Sequence, residues 1–269
     1  MGLTTGRAIL LSLAASDAVG AMMREGDWER DGFFLIRGFA DAAVGRAMLE
    51  RVVAITRQAS GQLLHEGKLV LPENNLRGGS GADQPAERSV SKVFKLHRDP
   101  VFQSFVTRRD VLALVEPLLG EDLDCFLSQF IFKNPGAWGQ PWHQDQFYFP
   151  FDRSPQVGLW LAVSEATLEN GCLWVLPGSQ REPVHAHVPD RRPNANYGYV
   201  EIVDHDMDAA VPVLMQPGDL LVFHSRLMHR STDNQSDGIR AAMVFHFAEH
   251  GTVDHSGGNA VNDWMHLTP

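Results

Sequence analysis

The sequence predicts a mainly β protein with flanking helices: a double-stranded β-helix (a jelly-roll or cupin-like core) with an N-terminal helical layer. Two observations predict this fold. After residue 122, short runs of β-forming residues follow one another, separated by turn sequences such as Asn134-Pro135-Gly136 and Pro217-Gly218-Asp219. Before that point, apolar residues recur at helical spacing. Many short strands without intervening helices are typical of a sandwich or barrel.

The N-terminal part is predicted to contain one strand and two helices. Residues 33–39 form an apolar run closed by a turn, which indicates a strand. Asp41 then offers an N-cap to a helix whose apolar stripe contains Val44, Met48, Val52 and Ile55. Residues 110–119 form the second predicted helix, ended by Gly120. Residues 60–90 are rich in Gly, Asn and Pro and are expected to form a long loop or lid.

The C-terminal part is predicted to contain six strands, at residues 126–132, 157–163, 172–176, 211–215, 220–223 and 241–247. Because no repeat or linker interrupts the pattern, residues 23–269 are expected to form a single domain. Residues 1–22 are an N-terminal extension of uncertain status: a short apolar run behind Arg7 faintly resembles a signal peptide but is too short to span a bilayer. Translation from Met22 or Met23 is the alternative.

Composition narrows the classes of function. The chain of 269 residues is 44% hydrophobic and 21% charged, which is ordinary for a globular protein. A net charge of −10 and the lack of a dense Lys/Arg cluster argue against a nucleic-acid-binding surface. The two cysteines, Cys125 and Cys172, lie in apolar runs and cannot form a disulfide scaffold, so reduced, buried thiols in the cytoplasm are expected.

Three residues suggest a metal site. In His143-Gln144-Asp145 the imidazole and the carboxylate are two residues apart, so on a strand both would point to the same face. His229, in a later β-rich segment, is the best third ligand. Two imidazoles and one carboxylate form the facial triad of non-haem Fe(II) oxygenases, which leaves coordination positions open. We therefore predict that these residues bind one Fe(II).

Arg240 adds a second element to the prediction. Residues 232–238 are rich in turn formers, and a turn centred between Asn234 and Gln235 would place His229 opposite Arg240 on one face. A guanidinium beside a metal can hold one end of a dicarboxylate whose other end chelates the ion. Ser231, two residues after His229, can add a hydroxyl to the same carboxylate.

Other residues near these motifs have simpler interpretations. His224 should face away from the metal, and His246 is expected to be a core histidine. His185 and His187 lie in a Pro-rich loop, where an exposed or substrate-contacting role is expected. Residues 147–151 could form an apolar wall beside the metal or pack in the core. A zinc hydrolase would also use two His and an acid, but it gives no reason for Arg240, and no His-Glu-x-x-His motif is present.

Several segments together resemble the phytanoyl-CoA dioxygenase family, particularly its domain-containing proteins. The likeness is carried by residues 142–145, 158–168 and 169–179, and by His229-x-Ser231-x-x-Asn234-x-Ser236 through Arg240. It extends back through residues 91–93 and 97–102, and weakly to residues 31–33. It covers most of the chain from about residue 30.

The resemblance implies an Fe(II)- and 2-oxoglutarate-dependent dioxygenase that uses O₂ to hydroxylate a C–H bond of a small organic substrate, releasing succinate and CO₂. It implies that His143, Asp145 and His229 bind iron, and that Arg240 and Ser231 hold the far carboxylate of 2-oxoglutarate. Lys92, Gln129 and Trp160 fall where the family lines the cosubstrate pocket. An intact Asp145 favours hydroxylation over halogenation. Residues 60–90 and 181–200 look shorter than in the relatives, so the substrate does not transfer.

The alternative function is a non-catalytic sensor that binds 2-oxoglutarate and a metal on the same fold. In either case we expect a small-molecule ligand, no nucleic acid or membrane partner, and a monomer or homodimer.

Overall fold

The computed structural model describes residues 24–73, 85–193, 195 and 198–267. Its helices are α1 (Trp28–Asp31), α2 (Ala42–Ala59), α3 (Pro100–Val106) and α4 (Arg109–Leu119). Its strands are β1 (Arg24–Asp27), β2 (Phe33–Ile36), β3 (Leu64–His65), β4 (Lys68–Pro72), β5 (Val90–Phe94), β6 (Leu123–Lys133), β7 (Val157–Ala162), β8 (Leu173–Val175), β9 (Val188–Pro189), β10 (Val200–Glu201), β11 (Val211–Val213), β12 (Leu220–His224), β13 (His229–Ser231), β14 (Arg240–Glu249) and β15 (Met265–Leu267).

Two antiparallel sheets form the core. The larger has the order β1-β2-β12-β7-β14-β6-β5-β4-β3, with β15 also paired to β6. The smaller has the order β11-β8-β13, so strands distant in sequence alternate between the sheets. One apolar cluster contains Trp160 and Val244 of the larger sheet together with Leu173 and Val213 of the smaller. This packing of two sheets confirms the predicted double-stranded β-helix.

The helices cover the other face of the larger sheet. Asp41 caps α2 by accepting a hydrogen bond from the amide of Ala43 at 2.7 Å, as predicted. Met48, Val52 and Ile55 of α2 are fully buried in one cluster with apolar residues of α3, α4 and the sheet. Burying a large aliphatic side chain contributes about 1.5–3 kcal/mol each, so this face of α2 fixes the helical layer on the sheet.

Most predicted elements are confirmed. The strand beginning at Phe33, the helices at residues 42–59 and 109–119, and all six C-terminal strands are present within one to three residues of their predicted ends. Helix α3 was not predicted, although Asp99 caps it and Pro100 occupies its first turn.

The prediction of a long loop or lid over residues 60–90 is wrong for residues 64–72, which contain two strands. Strands β3 and β4 form a hairpin there, and β4 pairs with β5 at the edge of the larger sheet. Pairing with β5 overrides the weak local strand signal of this Gly-rich region. Residues 74–84 of this segment, and the extension 1–22, lie outside the described residues.

Two smaller expectations concern the cysteines and the bilayer. Cys125 and Cys172 are both free and buried, as predicted, and burial raises the pKa of each thiol. Within the described ranges, none of the helices has the length and apolar character needed to cross a bilayer.

Candidate functional site

A cavity of about 320 Å³ lies between the two sheets. Its wall on the larger sheet includes Lys92, Gln129, Trp160 and Arg240. Because side chains alternate along a strand, Arg240, Val244 and His246 of β14 all face this cavity, while Ala241, Met243 and Phe245 face the helical layer. His229 and Ser231 of β13 line it from the smaller sheet, and the segment after β6 adds His143 and Asp145.

His143, Asp145 and His229 converge inside this cavity. Asp145 Oδ1 lies 3.4 Å from Nε2 of His143 and 3.6 Å from Nε2 of His229. The three candidate ligand atoms all lie within 4.8 Å of one another. All three residues are at most 8% exposed. The three residues that the sequence predicted to share one site therefore lie close together in the structure.

The backbone contacts of the two imidazoles direct Nε2 of each ring into the site, where that of His143 also lies 2.9 Å from the side-chain amide nitrogen of Gln140. His143 Nδ1 lies 2.7 Å from the carbonyl oxygen of Pro141, and His229 Nδ1 lies 2.9 Å from that of Leu227. Because a carbonyl only accepts, each Nδ1 carries a proton, which leaves Nε2 as the nitrogen that can bind a metal. Burial lowers the pKa of His229 to about 4, so this ring is neutral at pH 7. Backbone bonds of this kind orient histidine ligands in metal sites.

Asp145 is positioned differently from the prediction. A regular strand carrying both His143 and Asp145 was expected, but only His143 pairs, as a single bridge to His229 with reciprocal backbone hydrogen bonds of 3.0 Å. Asp145 begins a short 3₁₀ helix, Asp145–Phe147. The tight turn still directs the carboxylate to the imidazoles, so the convergence holds although its predicted cause is wrong.

His246 holds the second oxygen of Asp145. Its Nε2 lies 2.9 Å from Asp145 Oδ2, and the histidine is 3% exposed. Burial raises the pKa of Asp145, but the positive charge that His229 carries at acidic pH and the hydrogen bond of His246 outweigh it and hold this pKa well below the usual value. We expected a core histidine; its even spacing from Arg240 on one strand was the signal for a cavity role.

Arg240 is a buried guanidinium with unused donors. It is 1% exposed, and among the described residues neither Nε nor Nη1 has a hydrogen-bond partner. Its Cζ lies 5.3 Å from the ring centroid of Trp160. Burial lowers the pKa of Arg240 to about 10, which still leaves it charged at pH 7. A buried charge without hydrogen bonds is costly, so this group favours an anion in the cavity.

The predicted pairing of Arg240 with His229 is wrong. Arg240 lies opposite Lys133 of β6, because β14 joins the larger sheet while β13 joins the smaller. The segment between β13 and β14 crosses between sheets instead of making a hairpin, and the two residues meet across the cavity.

Lys133, which sequence reasoning missed, donates to Ser231 Oγ at 2.7 Å. Ser231 Oγ also accepts from the amide of Gln140, so its own proton remains available to a ligand.

Lys92, Gln129 and Trp160 line the cavity. Lys92 Nζ lies 4.9 Å from the ring centroid of Tyr199 and 3.4 Å from Gln140 Oε1. Burial lowers the pKa of Lys92 to about 8. Trp160 is 3% exposed and supports the guanidinium of Arg240. Gln129 lies opposite Phe94 in the β5–β6 register.

The remaining candidates lie around the cavity. His224 faces away, as predicted, and packs on Trp28. His185 and His187 are outside the cavity wall; His187 Nε2 accepts from the amide of Gln144. Of the aromatic run, Tyr148 and Phe149 line the cavity. In the same run, Phe147 is 41% exposed, while Phe151 packs on Phe126.

Comparison with known proteins agrees with this geometry. The family model of phytanoyl-CoA dioxygenase matches residues 28–242. The chain is 35% identical over 172 residues to bovine peroxisomal phytanoyl-CoA dioxygenase, a match that covers 61% of this chain and 51% of that protein. It is 35% identical over 193 residues to the rat phytanoyl-CoA dioxygenase domain-containing protein 1, covering 68% of this chain and 64% of that one. The chain thus spans between half and two thirds of these relatives.

Solved structures share the fold at low identity. The epimerase SnoN in complex with Fe³⁺, alpha ketoglutarate and nogalamycin RO matches with a TM-score of 0.62 and 21% identity, over 92% of this chain and 89% of that one. EvdO2 from Micromonospora carbonacea var. aurantiaca, complexed with 2-oxoglutarate, matches with a TM-score of 0.58 and 22% identity, over 90% and 100%. The family likeness and the sequence motifs agree: this chain belongs to the phytanoyl-CoA dioxygenase family.

Proposed function

We propose that this protein is an Fe(II)- and 2-oxoglutarate-dependent dioxygenase that hydroxylates a C–H bond of a small organic substrate and releases succinate and CO₂. The observation that carries the proposal is the buried guanidinium of Arg240, which has unused donors in the same cavity as a set of two histidines and one carboxylate. A metal site alone needs no such group, whereas a cosubstrate with a second carboxylate does.

The proposed iron ligands are Nε2 of His143, Nε2 of His229 and a carboxylate oxygen of Asp145. Their chemistry fits Fe(II), since two imidazoles held through Nδ1 by backbone carbonyls and one ionised carboxylate converge on one point. Bound iron would supply the oxidation of 2-oxoglutarate by O₂ that drives C–H hydroxylation. His246 keeps Asp145 Oδ2 engaged at 2.9 Å, so Oδ1 is the oxygen directed at the histidines.

Arg240 and Ser231 are the proposed contacts for the far carboxylate of 2-oxoglutarate. The guanidinium can donate two parallel hydrogen bonds, and the Ser231 hydroxyl, held by Lys133, can donate a third. Trp160 supports the guanidinium plane, which limits the rotation of Arg240. Lys92 and Gln129 add a positive charge and an amide to the same cavity, and we propose that they contact the cosubstrate.

An apolar region of the cavity is the proposed substrate side. Phe94, Leu127 and Phe149 line it near His246 and Asp145. These side chains would exclude water from the reacting C–H bond and orient an apolar portion of the substrate. The intact carboxylate at Asp145 supports hydroxylation as the outcome. We further propose that the protein acts in the cytoplasm as a monomer or homodimer, without nucleic-acid or membrane partners.

The function is tested by anaerobic titration followed by exposure to O₂. The protein should bind one Fe(II) and one 2-oxoglutarate per chain, and O₂ should then yield succinate, faster when the true substrate is present. A screen of acyl-CoAs, amino acids and small metabolites, read by succinate release and by mass spectrometry for one added oxygen, identifies that substrate. A sensor would bind both ligands and form no succinate with any compound, which would refute the enzyme.

A further inference from the structure

A second group of potential metal ligands lies outside the cavity. Glu182 follows the 3₁₀ helix Ser179–Arg181, His185 is three residues further on, and His205 comes from the segment after β10. One ligand atom of each lies within 4.8 Å of the other two. We propose that these three residues form a divalent metal site, best suited to Zn²⁺ and independent of the proposed iron site.

The geometry suits a small cation. Glu182 Oε2 lies 2.8 Å from His185 Nε2 and 3.0 Å from His205 Nε2. The two rings are nearly perpendicular, at 89°, with centroids 5.1 Å apart, so both nitrogens face the same oxygen. Two imidazoles, one carboxylate and a water form a common tetrahedral zinc set. The side chains are 20%, 40% and 20% exposed for His185, Glu182 and His205, which leaves access for that water.

The orientation of His205 suits metal binding. Its Nδ1 lies 2.7 Å from the carbonyl oxygen of Asp206, and its Nε2 lies 3.0 Å from Glu182 Oε2. With Nδ1 held by a backbone carbonyl, Nε2 is the nitrogen that can ligate an ion. His143 and His229 have the same arrangement, with Nδ1 bonded to a carbonyl and Nε2 directed at a carboxylate.

The site is linked to the cavity by Gln144. This residue lies between His143 and Asp145 and is fully buried. Its side-chain amide donates to the carbonyl of Pro183 at 3.1 Å and accepts from the amide of His185 at 2.8 Å. The loop that carries Glu182 and His185 is therefore hydrogen-bonded to the segment that carries two of the proposed iron ligands. A metal joining this loop to His205 would stabilise that segment.

A third group, Asp122, His250 and His266, provides an internal control. All three residues are exposed, and the rings of His250 and His266 stack at 4.0 Å. His250 is hydrogen-bonded to Asp124 and His266 to Asp122. This surface group offers the same ligand types without the enclosure, so its removal reports adventitious metal binding.

The test is Zn²⁺ binding to the metal-free full-length protein in competition with a chromophoric chelator. In the His229→Ala background, which removes a proposed iron ligand, we expect one Zn²⁺ per chain. Glu182→Gln should weaken binding at least about 100-fold, because even partners outside the ligand shell change metal affinity by 10- to 100-fold. His250→Asn should leave it unchanged. A hundredfold excess of Zn²⁺ over Kd should raise Tm by roughly 5 °C, and Glu182→Gln should abolish this rise.

Two results would overturn the second site: the His229→Ala protein binds no Zn²⁺, or Glu182→Gln and His205→Asn bind it as tightly as their parent. If His229→Ala does not fold, the stoichiometry of the otherwise unmodified chain decides, since Glu182→Gln should reduce it from two to one. Neither readout uses 2-oxoglutarate turnover, so failure of the proposed enzyme function would leave this test unaffected.

Discussion

Replacing Arg240 with methionine should weaken 2-oxoglutarate binding while leaving the ligand-free fold at least as stable. Each hydrogen bond to a charged group contributes about 1.5–3 kcal/mol, so losing the two bonds of a bidentate pair costs about 3–6 kcal/mol. This corresponds to an increase in Kd of roughly 10²- to 10⁴-fold. Arg240→Lys retains a charge but only a point contact, so an intermediate loss is expected.

The stability of the ligand-free variant follows from the surroundings of Arg240. The guanidinium is 1% exposed, lies opposite Lys133 and has two unpartnered nitrogens among the described residues. Replacing a buried charge by an apolar side chain of similar volume is often neutral or stabilising by about 1–4 kcal/mol. Arg240→Met should therefore keep or raise Tm without ligand.

The assay is isothermal titration of 2-oxoglutarate into the metal-loaded protein under anaerobic conditions, with thermal unfolding of the same samples. If Arg240→Met binds 2-oxoglutarate within threefold of the parent, the assignment of Arg240 is refuted. If affinity is lost together with several degrees of Tm, Arg240 is a structural residue and the reasoning about its unused donors is refuted.

Two further predictions concern the cavity, and a third concerns the backbone at Gly139. Because burial lowers the pKa of Lys92 to about 8, its ammonium is charged below that pH and lost above it, while Arg240 stays charged up to about 10. The KM for 2-oxoglutarate should thus rise roughly tenfold from pH 7 to pH 9, and Lys92→Met should remove this rise. His246→Leu should weaken Fe(II) binding by roughly 10- to 100-fold, and His246→Gln should recover part of it. Gly139→Ala should destabilise the fold by about 2–3 kcal/mol, because its Cβ would lie 1.9 Å from a backbone oxygen. The free energy of unfolding is measured with denaturant, and the matched control is Gly238→Ala, where the atom nearest to the added Cβ is at 4.0 Å.

Each of these has a contradicting result. A pH-independent KM would remove Lys92 from the cosubstrate site. Iron affinity that is unchanged in His246→Leu would show that the hydrogen bond to Asp145 does not position this ligand. Equal unfolding free energies for the two glycine variants would mean that the backbone around Gly139 adjusts freely.

The sequence was most informative where the signal lies within a short segment of the chain. Asp41 and the stripe of α2 are local signals, so that helix was predicted to its first residue. His143 and His229 were predicted to be iron ligands because few residue types bind iron and the two lie in recognisable motifs. Such signals do not depend on which strands pair.

Long-range pairing is what the sequence could not supply. The turn formers after Ser231 suggested a hairpin, yet β13 and β14 belong to different sheets. Strand choice depends on the packing of both sheets, which no local window contains. For the same reason Lys133, opposite Arg240, and His246, bonded to Asp145, were not identified as parts of the cavity.

The central claim is that His143, Asp145 and His229 hold an iron that couples 2-oxoglutarate to O₂. The most direct measurement is succinate formed per chain in a single turnover, with Fe(II) and 2-oxoglutarate loaded anaerobically and O₂ then added. We predict close to one succinate per chain for the parent protein, and none above background for Asp145→Ala, even at saturating Fe(II). Succinate formation retained in Asp145→Ala, with the fold intact by circular dichroism, would contradict the account.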